Sequence, residues 1–324
     1  MNVHPLGVPD LAEIKKTADR IRPYVHRTPV MTCSAINGMV GADLFFKCEN
    51  LQKVGAFKFR GATNAVLMLD DKAAPRGVAT VSSGNHAAGL SLAARARGIP
   101  AYVVMPDNSA RVKIDAVAGY GAHIIFCAPT MEAREQAVAD LVERTGATLV
   151  HPYNDYRIIA GQATATLELI EDTPGLDVVM TPIGGGGLTS GASLVVHYCS
   201  PSTKMIAAEP EGANDAFRSF HSGRIVPSEN PTTIADGLRS SLGEKTFPII
   251  QEFVDDIVTV SEDGIVRAMR TIWERMKIIV EPSAAVPLGA LLEGRVPVSG
   301  KRVGIILSGG NVDLEQLPWL AKGA

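Results

Sequence analysis

The chain has 324 residues, 46% hydrophobic and 20% charged, with a net charge of -3, enough length for two domains and no basic excess for a nucleic-acid partner. Cys33, Cys48, Cys127 and Cys199 stand far apart with no CxxC pair, which argues against a zinc site or a disulfide framework and fits a reducing cytoplasm. The start of the chain lacks a basic-then-apolar leader, and no uncharged apolar run reaches the roughly 18 residues of a membrane span, so a soluble protein without a membrane partner is expected.

In chain order, the first informative stretch is "KCENLQKVGAFKFRGATNAV" at 47–66, where Lys58 stands between Phe57 and Phe59, with Gly55 before and Gly61 after. Lysine normally keeps its ammonium in water; one sheathed by aromatic rings tends to lose the proton and becomes a nucleophile. Three units follow, each reading strand, loop, helix: "GVATV" with "NHAAGLSLAARARG", "AYVVMP" with "NSARVKIDAVAGYG", and "HIIFCAP" with "MEAREQAVADLVERTG". The segment "LVHPYNDYRIIAGQ", with Pro152, Asn154 and Asp155, reads as a turn-rich crossing point. A second set then runs through "LDVVMTPI", "LTSGASLVVHYC" and "KMIAAEP" to "RVGIILSGGNVD". This alternation predicts an α/β architecture with largely parallel sheets. The expected division is a small domain at 77–148 and a discontinuous larger domain made of 1–76 and 149–324.

Ligands of open α/β sheets bind beyond the carboxyl ends of the strands, so the loops there come first. In "IGGGGLTSG" the four glycines Gly184, Gly185, Gly186 and Gly187 end a strand and open a helix. Bare backbone N–H groups and the helix dipole suit a phosphate; a tight strand–helix crossing is the plainer alternative. The dinucleotide spacing G-x-G-x-x-G fails, with Thr189 or Ser190 at the sixth position, although Glu209 lies where a ribose-binding acid would. In "VSSGNHAAG", Ser82, Ser83, Asn85 and His86 could hold a carboxylate, or Ser83 or Asn85 could be an ordinary helix cap. The loop "LSGGNVD", with Ser308 to Asn311, is by itself an unremarkable turn. One ligand would serve lysine, phosphate loop and carboxylate loop together: pyridoxal 5'-phosphate, whose aldehyde needs an amine and whose phosphate needs an anion site.

The segments "KCENLQKVGAFKFRGATNAV", "SSGNHAAG", "HPYNDYRIIAGQ", "PIGGGGLTSG", "TIADGLRSSLG", "ERMKIIVEPSAAVPLGALL" and "GIILSGGNVD" occur in the order of the serine racemase and threonine dehydratase family, which the chain resembles from about residue 20 to 318. These are fold-type II pyridoxal-phosphate enzymes, tryptophan synthase β-like, with two open, twisted, mostly parallel sheets flanked by helices. The resemblance implies that Lys58 is the Schiff-base lysine, that Phe57 packs near the cofactor ring, that Asn85 bonds the ring hydroxyl, that Gly184 to Gly187 hold the phosphate and that Ser308 meets the ring nitrogen. It further implies that Ser82, Ser83, Asn85 and His86, with Ser240, receive the substrate carboxylate. The carboxylates of Glu209 and Asp215 and the carbonyl of Ala213 would bind a divalent cation, magnesium, manganese or calcium. A homodimer is implied too.

Threonine dehydratases have alanine at the position of Ser83, so the hydroxyl resembles the racemase branch. Ala56 and Arg134 are similar to the hydroxyaspartate dehydratases of that branch. Ala88 replaces a glutamine of the mammalian nucleotide effector site, which speaks against ATP activation. The implied activity is ammonia-lyase dehydration of small 3-hydroxy amino acids: threo-3-hydroxyaspartate, L-serine or L-threonine. A serine or aspartate racemase, with Ser83 as a second acid-base group, is the alternative, and a nucleotide-binding regulator without chemistry is the rival from another class.

Overall fold

The computed structural model describes residues 7–109 and 111–320. The chain opens with α1 (Leu11–Ile21), β1 (Val30–Met31), α2 (Ser34–Val40) and β2 (Asp43–Cys48), and α3 (Lys58–Leu67) begins at the lysine singled out above. Next come β3 (Val78–Val81), α4 (Asn85–Arg97), β4 (Ala101–Pro106), α5 (Arg111–Gly119), β5 (His123–Cys127), α6 (Met131–Thr145) and β6 (Thr148–Leu149). The long α7 (Tyr156–Asp172) leads to β7 (Val178–Pro182), α8 (Gly187–Cys199), β8 (Lys204–Pro210), α9 (Asp215–Ser222), α10 (Thr246–Phe253) and β9 (Asp256–Val260). The helices α11 (Glu262–Met276) and α12 (Pro282–Leu292) precede the last strand, β10 (Arg302–Leu307). The predicted strands "AYVVMP" and "KMIAAEP" coincide with β4 and β8 residue for residue.

Two sheets form, a six-stranded one in the order β1-β2-β10-β7-β8-β9 and a four-stranded one in the order β5-β4-β3-β6. Every pairing is parallel except β1 with β2, as expected where helices carry the chain back between strands. Parallel strands covered by helices on both faces need apolar residues throughout, and all of β7 is buried accordingly. The last strand of the chain, β10, sits between β2 and β7. That placement brings the loops after β2, β7 and β10 to one end of the sheet, the end where ligands bind in such folds.

Helices α3, α7 and α8 pack through glycines. A Cβ on Gly161 would lie 2.4 Å from the Cα of Gly61, and one on Gly191 would lie 2.7 Å from Ile159 O, so these helices meet backbone to backbone. A buried ionic cluster adds a second tie. Arg60 pairs with Glu49 at 2.7 Å and with Glu168 at 2.8 Å, and Lys47 reaches Glu168 at 2.6 Å. Two residues beyond Lys58, these contacts tie α3 to α7 and to the turn after β2, and Lys47 ties β2 to the same Glu168.

Candidate active site

Lys58 is the first residue of α3 and is reached through a left-handed kink, Val54 at φ 58 and Gly55 at φ 69. A side chain on Gly55 would meet Asn311 Oδ1 at 2.7 Å, so both conformation and space demand glycine there. Gly61, on the other side of the lysine, has a different part. It lies inside α3, where a Cβ would strike Gln162 Nε2 at 2.6 Å and Ile158 O at 2.8 Å, so its task is helix packing. The sheath is also half of what the sequence suggests: Lys58 Nζ lies 5.1 Å from the centre of the Phe57 ring, whereas Phe59 is buried among α4 residues with Lys53 over its ring. Successive helix residues point roughly 100° apart, so both rings cannot face one lysine.

Lys58 Nζ donates to Pro152 O at 2.9 Å. Burial pulls the amine down to about 8, against the opposing charge of Glu281. A free amine is thereby within reach of neutral pH.

The loop after β3 starts α4 without a side-chain cap among the described residues, so neither Ser83 nor Asn85 is the ordinary cap considered above. Ser82 Oγ instead accepts from Gly84 N at 3.3 Å. His86 is buried, and desolvation with the nearby Lys58 pushes its ring down to about 3, so the imidazole is neutral. Its Nε2 faces Val150 O at 3.2 Å, and its buried Nδ1 has no partner among the described residues. With Nε2–H donated to a carbonyl, the ring keeps only a lone pair. Its backbone N–H, in the first turn of α4, is the group suited to a carboxylate.

The loop after β10, an unremarkable turn in sequence, is joined to the lysine segment. Phe57 N donates to Ser308 O at 3.0 Å, Gly310 N donates to Gly55 O at 2.9 Å, and Ala56 bridges Gly309. Ser308 is buried. At the glycine run, Gly186 has φ 86 and stands just before α8, which starts with no side-chain cap among the described residues. A Cβ on Gly185 would meet the Tyr153 ring at 2.4 Å, and one on Gly184 would meet Leu238 Cα at 2.8 Å, so the loop answers to packing as well as to any anion.

A family model described as pyridoxal-phosphate dependent enzyme matches residues 21–309. The chain belongs to this family. It is 50% identical over 312 residues to the beta-hydroxyaspartate dehydratase of Paracoccus denitrificans (strain Pd 1222), covering 96% of this chain and 99% of that protein. It is 46% identical over 317 residues to the L-threo-3-hydroxyaspartate ammonia-lyase of Saccharomyces cerevisiae, covering 98% of this chain and 97% of that one. Among solved structures it is similar to serine racemase from Dictyostelium discoideum, with a TM-score of 0.91 and 49% identity over 94% of this chain and 99% of that chain.

The residues fit the family's cofactor: an amine of lowered pKa, an uncapped helix start behind glycines for the phosphate, and the amide of Asn85, held by Glu281 and Asn311. Pyridoxal phosphate is therefore the cofactor of this fold. For a cation, the donor set is smaller. Glu209 is buried and receives Ala216 N at 3.0 Å and Phe217 N at 2.8 Å, while both oxygens of buried Asp215 lack a hydrogen-bond partner among the described residues. Burial raises Asp215 to about 6; burial, with the Asp215 charge adding to it, raises Glu209 to about 9. Ala213 lies between them in a 3-10 turn, Glu211–Ala213. The described residues hold no cluster of three His, Cys, Asp or Glu side chains placed for a metal, so a backbone carbonyl would have to complete the set.

Arg134 lies on α6 of the four-stranded half, with its Nε buried and unpartnered among the described residues. Ser240 is exposed, two residues beyond Leu238, whose Cα abuts Gly184. Two residues escaped the sequence reading. Glu281, buried at the start of α12, receives the Asn85 amide at 3.0 and 3.1 Å and is raised to about 7, chiefly by burial. Asn311 donates to Asn85 Oδ1 at 2.9 Å and to Val54 O at 2.8 Å. In sequence Glu281 looks like a helix start before Pro282, and nothing local points it at the lysine. No helix among the described residues is long and apolar enough to cross a membrane.

Proposed function

We propose that this enzyme removes ammonia from small 3-hydroxy amino acids, threo-3-hydroxyaspartate before L-serine and L-threonine, and releases a 2-oxo acid. Lys58 carries the reading: an amine held near 8 by burial, at a point where loops from both sheets meet. The names of the Paracoccus and yeast relatives support the substrate class. Pyridoxal phosphate, when bound, would supply an aldehyde for the substrate's amine and an electron sink for the charge left at Cα. The first N–H groups of α4, with Ser82 and Ser83, hold the carboxylate and Ser240 closes over it, Phe57 and Asn85 hold the cofactor ring, and Gly184 to Gly187 its phosphate. Ser308 offers the ring nitrogen a neutral hydroxyl. Lys58 Nζ takes the α-proton, the β-hydroxyl leaves the adjacent carbon as water with the proton Lys58 has collected, and one water then hydrolyses the released enamine, as its imine, to the 2-oxo acid and ammonia. Arg134 meets the second carboxylate of hydroxyaspartate.

Glu209, Asp215 and the Ala213 carbonyl are read as a site for magnesium, manganese or calcium, on the strength of the two unpaired Asp215 oxygens. The two sheets are taken as the two domains. A homodimer in the cytoplasm follows the family resemblance and the four free cysteines.

A serine racemase is the second reading, favoured by the Ser83 hydroxyl and the Dictyostelium likeness. The test is one screen of ammonia and 2-oxo acid release over serine, threonine and the 3-hydroxyaspartate isomers, with chiral analysis of residual substrate. Fastest ammonia release from a threo-3-hydroxyaspartate is expected. Serine inverted without ammonia would replace the lyase reading with the racemase. Lys58→Ala, folded but inert, is the companion result; substantial turnover by it would sink the mechanism.

A further inference from the structure

Asn85 is embedded in a one-directional chain of hydrogen bonds. Val54 O is a carbonyl and can only accept, so the group of Asn311 that meets it at 2.8 Å is the NH2. The same nitrogen lies 2.9 Å from Asn85, so the Asn85 atom facing it is its oxygen. Asn85 must then turn its own NH2 to Glu281, and it does, at 3.0 and 3.1 Å from the two carboxylate oxygens. One of those oxygens also receives Asn311 N at 3.2 Å. Both amides in the chain are thus oriented from Val54 O, a carbonyl whose role cannot reverse.

The two oxygens of one carboxylate subtend too small an angle at Nδ2 to take both of its hydrogens. One N–H is shared between them, and the other has no assigned acceptor. Glu281 is itself held in place, its N donating to Gly309 O at 3.0 Å, and a Cβ on Gly309 would lie 2.8 Å from its carboxyl group.

We propose that Glu281 and Asn311 are positioning residues that lock the Asn85 amide with an N–H donor turned to the cofactor, so that the ring oxygen is bound as its anion. The inference rests on the reading above that Asn85 meets the ring oxygen. If the amide could flip, its oxygen would face the ring and select the protonated hydroxyl instead. Glu281 and Asn311 forbid the flip by supplying an acceptor on one side and a donor on the other.

The test uses the enzyme reconstituted with pyridoxal phosphate and reads the ratio of its visible to near-ultraviolet absorption bands, which follows the protonation of the ring oxygen. Cofactor affinity is measured alongside. Glu281→Gln, Asn85→Ala and the double variant form a cycle. Glu281→Gln alone should shift the ratio toward the near-ultraviolet band and weaken cofactor binding about 10-fold, the effect of one charge-assisted hydrogen bond. In the Asn85→Ala background it should change the ratio no further. The same shift in both backgrounds would make Glu281 a structural residue and overturn the inference, as would a wild-type ratio in Glu281→Gln. Should Glu281→Gln not fold, Asn311→Ala takes its place in the cycle under the same two criteria. An Asn85→Ala variant that binds the cofactor and keeps the wild-type band ratio would overturn the Asn85 assignment instead, and the inference with it.

Discussion

At the residue scale, side chains at this site are tuned by burial more than by opposite charges. Lys58 and His86 are both pulled down mainly by desolvation, one to about 8 and the other to about 3. For His86 the folded pKa lies below the unfolded value near 6.5, so the unfolded chain takes up a proton that the folded one refuses, and stability falls with pH below about 6.5. At pH 5 that loss is about 2 kcal/mol. Urea melts at pH 7 and pH 5 should therefore show His86→Gln losing about 2 kcal/mol less than the wild type over this interval; equal losses would mean the ring is not held neutral. Arg134 is tested by a ratio. If its guanidinium meets a second carboxylate, Arg134→Ala should lower kcat/KM for 3-hydroxyaspartate about 10-fold to 100-fold and for serine far less. Equal loss on both substrates would make Arg134 structural. The motif around Lys58 was legible in the sequence, but the pairing of its rings was not, because helix geometry separates Phe57 from Phe59.

At the element scale, α3 delivers Lys58 and is fixed by two unlike devices, glycine contacts and buried charge. A Cβ on Gly161 would lie 2.8 Å from Arg60 O as well as 2.4 Å from Gly61 Cα, and neither backbone atom can step aside. Gly161→Ala should destabilise the protein by about 1–3 kcal/mol or more and weaken cofactor binding, because the displaced helix carries Lys58. Gly38, inside α2, makes the control: nothing lies within 4 Å of a Cβ there, so Gly38→Ala should be neutral or stabilising by up to about 1 kcal/mol. Thermal melts of the pair decide it, and similar shifts for both would show that helix contact does not govern the effect. The ionic cluster of Arg60, Glu49, Glu168 and Lys47 went unread because a sequence shows charged residues without their burial. Isolated buried charges are costly, and only the mutual approach of these four makes them tolerable.

At the scale of the whole molecule, the two sheets meet across the site, and Lys113 of α5 pairs with Asp236 in the segment beside the glycine loop. The carboxylates proposed to hold a cation, Glu209 and Asp215, join the end of β8 to the start of α9. Chelator should lower the melting temperature of the wild type, and magnesium, manganese or calcium should restore it, with about 2.7 kcal/mol expected at a hundredfold excess over Kd. Asp215→Asn should abolish the response; an indifferent wild type would remove the cation. The sequence by itself determined the alternation of strand and helix and the loops that end the strands, because periodicity and glycine runs are written between near neighbours. It also marked Lys58, through residues adjacent to it. Only the tertiary structure decided what surrounds Asn85, since its partners Glu281 and Asn311 lie 196 and 226 residues away. The same holds for the unpaired oxygens of Asp215. A hydrogen bond, or the lack of one, between residues so far apart leaves no local pattern; it exists only once packing has excluded the water that would otherwise satisfy each group.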